Sequence, residues 1–246
     1  MVPIETVPAA DPLKVGYVPG HTNRLVVVFS GVGNRREAQQ PFEFFKTATQ
    51  DSANHALFIC DTSRSWLNAD GMDREIIRVV AETAARIGDA EIHLLGNSMG
   101  ATMALMLKDQ IPAKTVLAFV PQFSVHPKIV PEETRWRHFR KNIKVFKYPQ
   151  IELAPNPSQT AFIVHGSVPG ELLHAYRFPD VPGVRHFIVE GQGHSMTKRL
   201  KRAGKLAGLI EAAFDARPYK FRRLMRRSGG VFMKDYVPAE AKQAAE

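Results

Sequence analysis

Six short apolar runs recur along the chain, at residues 24–30 (RLVVVFS), 55–60 (HALFIC), 91–95 (EIHLL), 114–120 (KTVLAFV), 160–165 (TAFIVH) and 184–190 (VRHFIVE). Most are continuous rather than alternating, the pattern of strands covered on both faces in a parallel sheet. Helical stretches separate them. Residues 72–87 place Ile76, Val79, Val80 and Thr83 on one face before Gly88 stops the turn; residues 99–110 run up to Pro112; residues 196–214 carry Leu200, Leu206, Leu209 and Ile210 at helical spacing. Strand and helix in alternation predict an α/β fold, an open, mostly parallel sheet with helices on both faces. At 246 residues, without repeats or a Pro/Gly/Ser linker, the chain is expected to form one domain with its core at about 24–212.

Two stretches interrupt the alternation. Residues 127–158 are too long for a plain connection and read as a small cap over the sheet edge. The tail from Ser228 to Glu246 opens on two glycines and is expected to be loosely held. The chain's formal charge of +9 is concentrated in these neighbourhoods. Residues 198–227 hold eleven basic side chains against Glu211 and Asp215, and residues 128–147 hold seven against Glu132 and Glu133. The remainder is mildly acidic. Solvated helix faces and the attraction of an anionic partner are both open readings of such patches. The segment 217–227 (RPYKFRRLMRR) interleaves Tyr219, Phe221, Leu224 and Met225 with its charges, as a peripheral membrane contact would. No nucleic-acid motif accompanies it, so no nucleic-acid partner is expected. The residues specify no oligomeric state. The single Cys60 excludes an internal disulfide and a cysteine-rich metal cluster, and no apolar run approaches the roughly 20 residues of a membrane span. A cytoplasmic globular protein is the expectation.

The most informative residues are Gly96-Asn97-Ser98-Met99-Gly100, which follow the strand EIHLL and precede the helix at 99–110. Glycine–x–serine–x–glycine is common by chance; the strand before and the helix after are what a nucleophile elbow requires. There the hydroxyl is presented beside a helix N-terminus, where developing negative charge is favoured. A glycine-rich turn with a structural serine is the alternative. A serine needs a base, and His194, in Gly193-His194 after the last strand, lies at the same carboxyl edge. The other eight histidines lack that context. For the acid, Glu171 is the first carboxylate after the strand 160–165. Asp180 precedes the last strand and so belongs to the opposite edge, while Asp61 remains in reserve. The backbone N–H groups of Met99 and, in the turn after the first of these strands, Val32 are the candidate oxyanion donors.

With these residues assembled, the chain resembles the α/β-hydrolase superfamily. The loop Ser30-Gly31-Val32-Gly33, the elbow 96–100, an acid at Glu171 and the terminal Gly193-His194 turn follow its order of serine, acid, histidine. Two departures stand out: Ser30-Gly31 where the superfamily carries His-Gly, and an unusual spacing of the acid loop. The resemblance implies cleavage of an ester or thioester through an acyl-serine intermediate, with neither metal nor organic cofactor. The substrate would be a small-molecule or glycan ester. A cap overhanging the serine would turn Arg135, Arg137 and Arg140, with Arg35 and Arg36 beside the oxyanion loop, toward an anionic one. The competing expectation is a catalytically silent hydrolase-like module that binds an acidic glycan, a membrane surface or a protein. Cys60, at the end of an apolar strand, is expected to be packed rather than reactive.

Overall fold

The computed structural model describes residues 3–33 and 38–238. Nine strands form one sheet. They are β1 (Glu5–Val7), β2 (Leu13–Val18), β3 (Arg24–Phe29), β4 (His55–Asp61), β5 (Glu91–Asn97), β6 (Ala113–Phe119), β7 (Thr160–Gly166), β8 (Val184–Val189) and β9 (Gly230–Phe232), in the spatial order 1-2-4-3-5-6-7-8-9. The six central strands, β4-β3-β5-β6-β7-β8, are all parallel, so their carboxyl ends share one edge. They match the six apolar runs. The antiparallel pairs are at the margins, β1 on β2 and β2 on β4 at one side and β9 on β8 at the other.

Side chains alternate across each strand, yet both faces are apolar because both are covered. On one face Val27, Leu57, Leu94 and Val116 pack with α2 (Met72–Ile87), α3 (Met99–Met106) and part of the 127–158 segment. On the other, Val26, Val28, Phe58, Leu95 and Leu117 pack with α1 (Phe45–Thr49), α6 (Met196–Arg202), α7 (Leu206–Phe214) and α8 (Pro218–Arg227). The fold is therefore the α/β sheet covered on both faces that the alternation predicts, and α/β-hydrolase-like, as the resemblance implies.

Three local expectations change. The helix expected at 196–214 is two helices, α6 and α7, broken around Gly204, whose φ of +68° ends a helical turn. The stretch 127–158 is irregular, with one short helix, α4 (Arg137–Arg140), and its Trp136, Phe139, Ile143 and Phe146 pack on the α2/α3 side of the core. The tail expected to be loose is ordered through its first residues. Gly230–Phe232 completes the sheet, with the Phe232 ring stacked on Phe187 at 4.5 Å between centroids, and a 3-10 turn follows at Met233–Asp235. Among the described residues no helix is long and apolar enough to cross a membrane.

The α8 helix also departs from the reading of its sequence as a membrane contact. Phe221 and Met225 are fully buried, with Phe221 against Phe162 and Phe187, and Leu224 packs on the same core. The apolar stripe faces the sheet, leaving arginines and the exposed Tyr219 outside.

Candidate active site

Ser98 stands between β5 and α3 with φ 57° and ψ −125°, a positive-φ conformation outside the left-handed helical region that a residue with a Cβ adopts only under constraint. The constraint is close packing. A Cβ on Gly96 would lie 2.4 Å from the Gly100 carbonyl, and one on Gly100 would lie 2.0 Å from the Phe29 carbonyl oxygen. Only glycine at both positions lets the helix start this near the strands.

His194, in the loop between β8 and α6, reaches the serine across the carboxyl ends of β7 and β6. Its Nε2 is 2.8 Å from Ser98 Oγ, and its Nδ1 is 3.0 Å from Glu171 Oε1. A carboxylate only accepts, so Nδ1 carries the proton and the neutral ring offers Nε2 to the serine O–H. Glu171 belongs to α5 (Pro169–Ala175), immediately after β7. Burial pushes its carboxyl up, but the hydrogen bond and charge of His194, the nearby His165 and the Arg135 guanidinium outweigh this and hold it at about 2. The structure thus joins Ser98, His194 and Glu171 in one hydrogen-bonded line. The two other carboxylates are elsewhere. Asp61 accepts from Ser63 and from the Ser65 backbone and hydroxyl, and Asp180 lies in the loop before β8, at the amino edge.

Met99 is the first residue of α3, so its N–H points out of the helix start. The loop carrying Val32 leaves β3 beside the elbow, since Phe29 is in register with Gly96. This loop is fixed from below: Glu43 Oε2 accepts the Gly31 N–H at 2.9 Å, and the Val32 carbonyl accepts from Arg64 Nε at 2.9 Å. Burial raises the Glu43 carboxyl, against the lowering effect of the Gly31 N–H.

The arginines proposed for substrate divide. Arg35 and Arg36 lie outside the described residues. Arg137 is exposed on α4, while Arg140 is half-buried and donates to the Val125 carbonyl at 3.4 Å. Arg135 is already paired. Its guanidinium is held by Glu133 through Nε and Nη2, by Glu171 Oε1 through Nη1 at 2.5 Å, and by the Gly170 carbonyl. Two buried carboxylates thus balance its charge, while about a third of its side chain meets solvent. Glu133 also accepts from His174 Nε2 at 2.8 Å; burial alone would raise its carboxyl, but His174 and Arg135 bring it to about 2.

Three further residues at the site escaped the sequence reading. Trp136 lies on the His194 ring, 5.1 Å between centroids. Glu43 braces the loop that carries Val32. Gln122, beyond the end of β6, donates from Nε2 to Ser98 Oγ at 3.2 Å. Gln122 carried a usable signal, a lone amide at the carboxyl end of an apolar strand; Glu43 and Trp136 depend on long-range contacts that no spacing encodes.

No protein-family model matches the chain, and no curated protein matches it. Its shape is widely shared. The capsule O-acetyltransferase of Neisseria meningitidis serogroup A superposes with a TM-score of 0.59 at 12% identity, covering 84% of this chain and 94% of that one. An esterase of Pyrococcus furiosus gives 0.53 at 12% identity, over 92% and 93%. At such identity the likeness is one of fold, an α/β architecture found among hydrolases and acyltransferases.

Proposed function

We propose that this chain is a serine hydrolase that cleaves an ester or thioester through an acyl-serine intermediate. The observation that carries the reading is the hydrogen-bonded line from Ser98 through His194 to Glu171, built on a strained serine at a helix N-terminus. Ser98 Oγ would attack the carbonyl as its proton passes to His194 Nε2, with Glu171 stabilising the imidazolium. The N–H groups of Met99 and Val32 would receive the oxyanion. His194 returns the proton to the leaving alcohol or thiol, then activates water to release the acyl group. All of these groups belong to the protein, so the step requires no cofactor.

Labelling by a fluorophosphonate probe tests this directly. The wild type should label, whereas Ser98→Ala should not and His194→Ala should be slowed by several orders of magnitude. A wild type that does not label, or a Ser98→Ala variant that still does, refutes the assignment and returns the chain to a silent binding module.

One observation favours a second outcome of the same chemistry. Ser98 is 3% exposed and Trp136 packs against one side of the His194 ring, whose side chain keeps 27% of its surface, so the approach to the acyl-serine is narrow. Transfer to an alcohol acceptor would then compete with hydrolysis, and a protein of similar fold is an O-acetyltransferase. Product analysis with and without added glycan alcohols separates the two. An anionic group on the substrate would fall to Arg137, and equal, salt-insensitive rates on neutral and anionic esters would remove that role.

A further inference from the structure

Gln122 is held more firmly than a residue that only fills space requires. It is 1% exposed, and Thr102 Oγ1 fixes its backbone on both sides, accepting from the Gln122 N–H at 2.9 Å and donating to the Gln122 carbonyl at 3.0 Å. The side-chain amide has a single reading. Trp66 Nε1 is a donor only, and it lies 2.8 Å from Oε1; that end must be the oxygen. The amide nitrogen therefore faces Ser98 Oγ, at 3.2 Å. Since the serine proton is directed to His194, Gln122 N–H meets an Oγ lone pair.

We infer that Gln122 is a further catalytic residue, a fixed N–H donor to the serine oxygen itself that acts chiefly when the acyl-serine bond breaks. The inference rests on the acyl-serine reading above. In the resting enzyme Oγ is a hydroxyl oxygen and already a fair acceptor, so the hydrogen bond strengthens only moderately as Oγ attacks. In the acyl-enzyme Oγ is an ester oxygen whose lone pair is delocalised into the carbonyl, a poor acceptor. Water adds to that carbonyl, giving a proton to His194, and the tetrahedral species collapses. The C–Oγ bond breaks, its electron pair goes to Oγ, and Oγ takes the proton back from His194 Nε2. Charge rises on Oγ as the bond lengthens, and the amide N–H strengthens with it. Only an interaction that is stronger in the transition state than in the ground state speeds a step, so the larger gain falls on deacylation.

The experiment uses the full chain with p-nitrophenyl acetate, following the acylation burst and the steady-state rate separately and observing the acyl-enzyme by intact-mass spectrometry. Gln122→Met keeps the length and removes the donor. Deacylation should slow on the order of 10²-fold, as for loss of one preorganised oxyanion donor, with acylation affected tenfold or less and acyl-enzyme accumulating. Trp66→Phe leaves Gln122 in place but releases its oxygen. It should reproduce the same imbalance at a smaller magnitude, and it serves as the second variant should Gln122→Met fold poorly. Equal losses in both steps, or no loss in either, overturn the inference while a labelling wild type leaves the serine mechanism standing. A wild type that never acylates overturns both.

Discussion

The two basic stretches, 128–147 and 198–227, look alike in the sequence, each a mixture of arginines, lysines and aromatic residues with two opposing carboxylates. The fold uses them in opposite senses, on opposite faces of the sheet. In the second, a helical period sorts the residues of α8: Phe221 and Met225 turn inward and Arg223, Arg226 and Arg227 outward. In the first, no long helix does the sorting, and carboxylates brought up by the fold do it instead. Arg135 is drawn between Glu133 and Glu171, Lys147 pairs with Asp73 at 2.6 Å, and Trp136 follows Arg135 onto His194. Net charge therefore says little about which basic residues remain available. The acidic partners that the fold brings to them, near or far in the sequence, and the period on which they recur decide it.

The largest effect that would break this contrast concerns the inward face of α8. Phe221→Ala removes a fully buried ring from between Phe162 and Phe187 and should cost about 3–5 kcal/mol, measured by denaturant unfolding. A cost below about 1 kcal/mol would mean that α8 does not depend on the sheet and that its apolar stripe is free to face another surface. Next comes Arg135→Gln. It leaves Glu133 and Glu171 short of a cation and should destabilise by roughly 2–3 kcal/mol, less than a fully buried pair because a third of the arginine side chain meets solvent. Its second effect is on the reaction. Arg135 and His194 share Glu171 Oε1, so removing the guanidinium leaves more of the carboxylate's charge to favour the imidazolium. The acid limb of the proposed esterase activity should therefore move to higher pH, a shift that a purely structural loss would not produce.

Acid stability sharpens the same point. Glu133 and Glu171 are held at about 2, below their ordinary 4.5. A depressed carboxyl favours the folded state fully above its unfolded value and loses that contribution as pH falls through the folded one. Burial also holds the His93, His165 and His186 rings below their ordinary 6.5, so the melting temperature should begin to fall below about 6.5 and fall further between about 4.5 and 2, with that lower limb shallower in Glu133→Gln. An equal slope in that variant would remove Glu133 from the network.

How much of this was legible follows from the range of the interactions. The six parallel strands and the start of each following loop are local patterns, and the carboxyl-edge rule then placed Ser98, Glu171 and His194 together without any knowledge of contacts. The marginal strands β1, β2 and β9 were missed because short antiparallel pairs with mixed polarity carry no period of their own. The pairing of Arg135 was not legible because one of its acidic partners, Glu171, lies 36 residues away. The apolar residues of α8 read equally well as facing lipid or core, since periodicity gives a face and not what covers it.

The smallest expected effect is the most direct check on the outward face. Arg223→Gln, Arg226→Gln and Arg227→Gln together remove three exposed charges from α8, on the side of the sheet away from the 127–158 segment. Two of them lie in the last turn of the helix, where cations favour the macrodipole, so the triple variant should lose less than about 1 kcal/mol in stability. Ester cleavage should keep its rate and its salt dependence, because Debye screening at ordinary ionic strength confines these charges to about 10 Å. A tenfold change in rate would show the two basic regions acting on one site, and the distinction between an inward-wired and an outward-facing patch would fail. An unchanged rate, beside the shifted pH profile of Arg135→Gln, would show that one cation at Glu171 matters more to the chemistry than three on α8.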